Sequence, residues 1–383
     1  MTKFTIPVDK FLSQPTPFYY YSLPLLEATL SEVNESSAYP GFKVHYAIKA
    51  NANPEILKVI SRAGLGADVV SGGEIRAAVA AGFPADKIVF AGVGKSDVEI
   101  ITALEAGISC FNVESLPELE VISALALERG KVAKVALRVN PNIDAHTHHY
   151  ITTGLSENKF GISLEMLPSV VDEAVALKGV ELIGLHFHIG SQLTDMKPFE
   201  MLCDTVNRLN AEFNDKGIKL QTLNVGGGLG IDYNQPDLHP IPDFKAYFKV
   251  FADNLKLLPG QELHFELGRA IVGQCGSLIT RVLYVKQGLN RKFAIVDAGF
   301  TELIRPALYQ AHHKIENLTS PDKPLEKYDV VGPICESSDC FGKDELLPEI
   351  SRGDILALRS AGAYGEVMAS TYNCRTLPPS LLI

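Results

Sequence analysis

VHYAIKANANP, residues 44–54, is the stretch that decides the fold. Residues 44–48 read as a short, buried β-rich run, which ends on Lys49. Asn51, Asn53 and Pro54 then supply turn and helix-start chemistry. The local grammar is strand, lysine, helix. A lysine at the C-terminal tip of a buried strand has two readings. Its stem lets the ammonium snorkel to water, or the ammonium is desolvated, its pKa falls and the amine becomes a nucleophile toward carbonyls. The stretch alone favours the first reading, and the rest of the chain reverses that order.

Outward from this stretch the same grammar repeats. Strand-like runs fall at 44–48, 67–70, 87–90, 110–113, 132–139, 182–188, 222–225 and 262–266, with helical patterns such as 54–63, 73–81, 115–127 and 199–213 between them. Eight strands alternating with helices predict an α/β architecture, a (β/α)8 barrel. A doubly wound sheet is the runner-up, but no G-x-G-x-x-G follows the first strand. After Glu266 the helices drop out, and 271–285, 292–297, 328–331 and 354–358 read as strands of a second, mostly antiparallel β-domain. The aromatic run Phe18-Tyr19-Tyr20-Tyr21 near the N-terminus is too short to stand alone and is expected to add a strand to that domain. The boundaries expected are 25–268 for the barrel, with 1–24 and 269–383 forming the β-domain.

Composition narrows the function classes. The chain has 383 residues, 46% hydrophobic and 21% charged, as in an ordinary two-domain globular protein. A net charge of −10 without a basic run argues against nucleic acid and anionic membrane as partners. No run approaches the ~18 apolar residues of a membrane span, and MTKFTIPVDKF lacks a signal-peptide core. Cysteines 110, 203, 275, 335, 340 and 374 form no C-x-x-C pair, which suggests reduced thiols in a cytoplasmic setting.

In such a barrel the chemistry gathers at the C-terminal strand ends. Those positions hold Lys49, Asp68, His188, Gly226-Gly227-Gly228 and Glu266. Gly227 and Gly228 let backbone N–H groups approach an anion; with Ser191, Gly268 and Arg269 they suggest a phosphate cup, although a lone GGG is usually just a turn. His186 and His188 alternate along one predicted strand face; without a nearby Cys or acidic ligand, zinc is disfavoured. His188 is read as a ring stacking on a ligand and His186 as a hydrogen-bonded interior histidine. His146, His148 and His149 lie in a polar insertion, 140–159, read as a lid rather than a metal site. AGVGKS at 91–96 lacks the first glycine of a P-loop, because position 89 is Val. No metal is expected. Glu266 either bridges to Arg269 or faces a ring nitrogen that it keeps protonated. A carbonyl-reactive lysine, a phosphate cup, a stacking ring and such a carboxylate together describe a site for pyridoxal 5′-phosphate.

The motifs HYAIKAN, GADVVSGGE, NKFGI, GLHFHIGSQ, NVGGGLGIDY, ELGR, GPICESSD and SAGAYGEVMASTYNCR resemble, in order and over nearly the whole chain, the alanine-racemase-like barrel class of pyridoxal-phosphate enzymes. Within that class they are similar to the diaminopimelate decarboxylase family, whose members release CO2 from meso-2,6-diaminopimelate to give L-lysine. The resemblance implies a barrel plus β-domain and a homodimer whose two active sites are shared across the interface. It makes Lys49 the Schiff-base lysine and Cys335 the proton donor to the carbon that has lost CO2. His188 would stack on the ring and Glu266 would pair with its nitrogen. Ser191, Gly228, residues 266–269 and Tyr364 would surround the phosphate side. Arg269, Arg305 and Tyr309 would bind substrate carboxylate, while Glu336 and Tyr364 would come from the partner. A thiol with an ordinary pKa near ~8.5 suits the acid role near neutral pH; the other five cysteines read as small buried hydrophobes. The chain departs from the family at Leu267, usually proline, and at His149 and Thr152 of the lid.

Chemistry discriminates within the class. Related racemases usually place an arginine at the ring nitrogen, which weakens the electron sink, whereas Glu266 strengthens it. A substrate ending in a second amino acid group needs a cation and an acid at its far end, which Arg305 and Glu336 supply. Carboxynorspermidine-type or other basic amino acid decarboxylases are the enzymatic alternative. A non-catalytic cofactor-binding relative is the other; it is disfavoured by the retention of Lys49, Cys335 and a second domain.

Overall fold

The computed structural model describes residues 6–143 and 159–383. These fall into two compact units. One comprises the described residues between Leu30 and Gly230 together with Asp243–Gly268; the other gathers residues up to Thr29 with Ile231–Pro242 and Arg269–Ile383.

The first unit is a closed barrel of eight parallel strands: Phe42–Ala47, Gly66–Val69, Ile88–Phe90, Cys110–Val113, Ala133–Arg138, Val180–His186, Thr222–Asn224 and Glu262–Leu267. The last closes on the first, with His45 opposite Glu266 and Lys43 opposite His264. The connecting helices start where the sequence carries caps. Ser71 Oγ accepts from the Glu74 N–H at 3.1 Å, Ser115 Oγ from the Glu118 N–H at 3.4 Å, and Ser96 with Glu99 forms a capping box. Outside the strands, Phe199, Tyr247, Phe248 and Phe251 pack edge to face with one another or with Phe265, burying large rings between helix and strand.

The strand expected at 182–188 is Val180–His186, so His188 lies beyond it and does not share a strand face with His186. Further on, Gly190 and Gln192 take φ 142° and 63°.

A second polar layer lies in the same barrel. His45 Nε2 is 2.9 Å from His264 Nδ1, His45 Nδ1 is 3.1 Å from the Lys87 carbonyl, and His264 Nε2 is 3.2 Å from Glu262 Oε2. Burial, reinforced by His264, pushes the His45 pKa down to about 3. A histidine so depressed stabilises the fold above its unfolded value near ~6.5 and loses that contribution as pH falls toward 3. Over that whole interval the contribution is about 5 kcal/mol. The thermal midpoint of wild type should therefore drop more steeply between pH 6.5 and 4 than that of His45→Asn; parallel profiles would remove His45 as the cause.

The second unit is built on one sheet in the order Ile315–Asn317, Ile355–Leu358, Gly276–Gln287, Lys292–Val296, Leu325–Val331, Cys340–Pro348. Phe18–Tyr21 joins it, antiparallel to Gly276–Gln287 and parallel to Ser380–Leu382. Pairing is antiparallel except there and between Lys292–Val296 and Leu325–Val331. All four residues of Phe18–Tyr21 are buried. Phe18 and Tyr20 pack with Phe11, Ile279, Ile355 and Ala357, and the Tyr19 hydroxyl donates to the Glu302 carbonyl at 2.6 Å. The expected strand at 271–285 begins later. Arg269–Val272 is a short helix closed by the Gly273 N–H bonding to the Arg269 carbonyl at 2.8 Å, and extension resumes at Gly276. Strand Cys340–Pro348 carries Gly342, Lys343 and Asp344 on an edge of the sheet, where charge is tolerated and hydrophobic alternation fades.

The segment Ile231–Pro242, inside the stretch expected to be barrel, belongs to the β-unit. Gln274 Nε2 donates to the Asp232 and His239 carbonyls at 2.8 and 3.3 Å, and Arg359 Nη2 to Asp237 Oδ1 at 2.8 Å. Satisfied polar groups, rather than apolar pattern, tie it there.

Candidate active site

Lys49 sits on the single 3-10 turn Ile48–Ala50 that follows the first barrel strand. The following asparagines make that turn. The Tyr46 hydroxyl donates to the Asn51 carbonyl at 2.9 Å, Asn51 Oδ1 accepts the Asn53 N–H at 2.9 Å, and Asn53 Oδ1 caps the helix Pro54–Arg62 through the Glu55 N–H at 3.0 Å. Lys49 Nζ lies 3.3 Å from Asp68 Oδ2; the lysine side chain is 41% exposed and the aspartate wholly buried. Asp68 Oδ1 has no hydrogen-bond partner among the described residues. The ion pair alone would favour the carboxylate, yet burial and then the charge of Glu266 push the Asp68 pKa up to about 8. Two buried carboxyls in one field separate their roles: one keeps a proton so that the other stays ionised.

Glu266 is the ionised member. Its Oε1 accepts from Asn112 Nδ2 at 3.1 Å and Asn224 Nδ2 at 2.7 Å, and its Oε2 lies 3.0 Å from His186 Nε2. Burial opposes the charge, but His186, by charge and hydrogen bond, together with Lys49 and His188, holds this carboxyl below the ordinary range. These partners come from three other barrel strands, which fixes Glu266 as facing the barrel interior. His186 Nε2 donates to Glu266, and its Nδ1 has no partner among the described residues.

The glycine run is stitched to the same strand. The Gly226 N–H donates to Asn224 Oδ1 at 2.9 Å, and the Glu266 N–H to the Gly226 carbonyl at 2.8 Å. A Cβ on Gly227 would stand 1.9 Å from the Glu266 carbonyl oxygen, so only glycine fits. Gly228 has φ +110°, which excludes most side chains. The Gly227 N–H points to His188 Nδ1 at 3.5 Å, which requires that nitrogen to be unprotonated. Burial, with Arg138 and Lys49, pushes the His188 pKa well below its usual value. Ser191 is half-buried just after His188, and a Cβ on Gly268 would meet Ala50 at 2.9 Å.

In the β-unit, Arg269 and Arg305 are both buried beside Tyr233. Arg269 Nη1 donates to the Tyr233 hydroxyl at 2.6 Å and its guanidinium carbon is 4.9 Å from the Tyr364 ring, so Tyr364 meets Arg269 within one chain, not from a partner as the resemblance implied; the Arg305 guanidinium carbon is 4.9 Å from the Tyr233 ring. Arg305 and Tyr309 open and close one short helix, Arg305–Tyr309. Cys335 and Glu336 are exposed on a separate loop of this unit. The Cys335 N–H donates to Asn373 Oδ1 at 3.4 Å and Glu336 Oε1 accepts from the Tyr372 hydroxyl at 3.0 Å. Asp339 shapes that loop, accepting the Phe300 and Ile334 N–H groups at 2.7 Å each.

Sequence reasoning missed Asn112, Asn224, Asp339 and Tyr233. The first two carried a signal, polar residues within otherwise apolar barrel strands, but their shared partner is invisible without the closed barrel. Lys95 of AGVGKS is a structural tie, its Nζ 2.6 Å from Glu118 Oε1 and 2.8 Å from the Gly92 and Asn112 carbonyls. The lid residues His146, His148, His149 and Thr152 lie outside the described residues. Among the described residues no cluster of three His, Cys, Asp or Glu is arranged for a metal, and no helix is long and apolar enough to cross a membrane.

The donor set fits pyridoxal phosphate. A buried orphan carboxyl oxygen lies beside the amine, a glycine cradle admits no Cβ, and an anionic carboxylate stands in the same interior. Comparisons with known proteins agree. Residues 27–273 match the family model "Pyridoxal-dependent decarboxylase, pyridoxal binding domain". The diaminopimelate decarboxylase of Bacteroides thetaiotaomicron is 63% identical over 373 residues, 97% of this chain and 96% of that one. That of Pseudomonas aeruginosa is 45% identical over 374 residues, 96% of this chain and 88% of that one. The crystal structure of diaminopimelate decarboxylase from Helicobacter pylori, complexed with L-lysine, superposes with a TM-score of 0.93 at 40% identity, covering 98% of this chain and 93% of that one. With the barrel, the Lys49–Asp68–Glu266 interior and these relatives in agreement, the chain belongs to the diaminopimelate decarboxylase family of pyridoxal-dependent decarboxylases.

Proposed function

We infer that this chain converts meso-2,6-diaminopimelate to L-lysine and CO2, the last step of lysine biosynthesis, with pyridoxal 5′-phosphate as its cofactor. The observation that carries this reading is the Glu266 carboxylate, held anionic by Asn112, Asn224 and His186. When bound, pyridoxal phosphate supplies an electron sink for the pair left behind by CO2; a carboxylate at its ring nitrogen keeps that nitrogen protonated and the sink strong. Lys49 holds the cofactor covalently, and Asp68, protonated beside it, exchanges protons with its amine. His188 offers a flat, uncharged face for the ring, while Ser191, Gly227, Gly228 and Gly268 take the phosphate through backbone and hydroxyl donors. Arg269 and Tyr364 act at the phosphate and carboxylate side. Arg305, with Tyr309, binds the distal carboxylate, and Glu336 the distal amine. Cys335 delivers the proton that replaces CO2.

Purified enzyme assayed for CO2 release with meso-diaminopimelate, ornithine, arginine and carboxynorspermidine should favour the first by at least about 10³-fold in kcat/KM, as expected where a charged group left unpaired penalises the wrong substrate. Comparable turnover of carboxynorspermidine would replace this reading with that activity.

The exposure of Cys335 and Glu336 in the single chain supports a homodimer in which each copy completes its partner's site. Mixing inactive Lys49→Ala and Cys335→Ala proteins should then recover activity, up to about a quarter of wild type by random pairing, because one site per heterodimer keeps both groups. A mixture as inactive as its components would count against shared sites.

A further inference from the structure

We propose that His313 is a positioning residue that holds the Arg305 guanidinium ready for the distal carboxylate of the substrate, with Tyr233 as the platform against which both pack. This rests on the reading above that Arg305 binds that carboxylate.

His313 is fully buried in the β-unit. Its Nδ1 is 2.8 Å from the Arg359 carbonyl and its Nε2 is 2.9 Å from Arg305 Nη1. A carbonyl only accepts and a guanidinium only donates, so the two contacts define the ring. Nδ1 carries the proton, Nε2 presents its lone pair, and the imidazole is neutral. A second proton would set two cations face to face in a buried site. Burial and then the charge of Arg305 accordingly push the His313 pKa down to about 3.

Arg305 thus spends one N–H on His313, a fixed acceptor, and also hydrogen-bonds to Tyr233, so its guanidinium is oriented from two sides. The other constraint is Tyr233. Its ring lies 4.9 Å from the Arg305 guanidinium carbon and 5.3 Å from the His313 ring at 84°, an edge-to-face contact. Tyr233 also accepts from Arg269. The clamp is anchored in turn. Arg359, whose carbonyl orients His313, reaches Glu316 Oε2 at 2.5 Å and Asp237 Oδ1 at 2.8 Å, and Asp237 sits in the same segment as Tyr233. An arginine pinned in this way arrives preorganised, so less of its binding to a carboxylate is lost to ordering the side chain.

Two polar variants separate positioning from mere packing. His313→Asn keeps a donor for the Arg359 carbonyl but is too short to reach Arg305, whereas His313→Gln can extend an amide oxygen to it. The readouts are KM and kcat for meso-diaminopimelate, and inhibition by L-lysine, which retains the distal carboxylate, against pentane-1,5-diamine, which lacks it. In His313→Asn, KM and the L-lysine inhibition constant should rise roughly tenfold, the loss of one hydrogen bond to a charged group, with kcat and diamine inhibition within about twofold of wild type. His313→Gln should recover most of the loss. Unchanged L-lysine inhibition in His313→Asn, equal weakening of both inhibitors, or failure of His313→Gln to rescue would overturn the proposal. Arg305→Met measured in parallel keeps the two readings apart. If it fails to weaken L-lysine relative to the diamine, the role of Arg305 is wrong; if it does weaken L-lysine while His313→Asn has no effect, only the positioning role falls.

Discussion

Lys49→Ala is expected to lower CO2 release by roughly 10⁴-fold or more, the scale seen when a covalent catalytic group is removed. The same variant should lose the visible absorption of lysine-bound cofactor. The turn that carries Lys49 is held by hydrogen bonds of Tyr46, Asn51 and Asn53 to backbone groups, which truncation of the lysine side chain leaves in place, so the backbone should survive it. Asp68 loses its cation 3.3 Å away, but a carboxyl already raised to about 8 by burial and by Glu266 simply keeps its proton. Loss of activity should therefore come without a large loss of stability. Wild-type absorbance in Lys49→Ala would end the assignment, whatever its activity.

Glu266→Gln should lower kcat by about 10²- to 10³-fold, as for other preorganised electrostatic groups. Glutamine matches the shape. Its amide oxygen can still accept from Asn112 and Asn224, and its amide hydrogens can meet His186 if that ring moves its proton to Nδ1, the atom now without a partner. What disappears is the negative charge, and with it the protonation of the ring nitrogen. The absorption of the bound cofactor should therefore shift between wild type and Glu266→Gln while both proteins stay folded. Glu266→Leu, by contrast, strands three buried donors at about 1–3 kcal/mol each and should mostly unfold. A Glu266→Gln enzyme within threefold of wild-type turnover would remove this carboxylate from the chemistry.

The barrel was legible because alternation of short apolar runs with helices is a local pattern, and caps such as Ser71, Ser115 and Asn53 mark helix starts in sequence. Lys49, Asp68 and Glu266 were legible because an ionisable residue ending an apolar strand is an anomaly that needs a reason. Strand Cys340–Pro348 was not, since its exposed edge follows no hydrophobic rhythm. The face of His188 differs from that expected because the strand stops at His186, two residues short of the end that the apolar pattern suggests.

By itself the sequence determined the fold class, the residue types at the strand ends and, through shared motifs, the family. Closure of the barrel determined the rest. Only there do Asn112, His186 and Asn224, from three separate strands, converge on Glu266 and keep it charged. Only in the folded β-unit does a histidine eight residues after Arg305 become its neutral acceptor. Protonation states follow from burial and from partners distant in sequence, and those exist only in three dimensions.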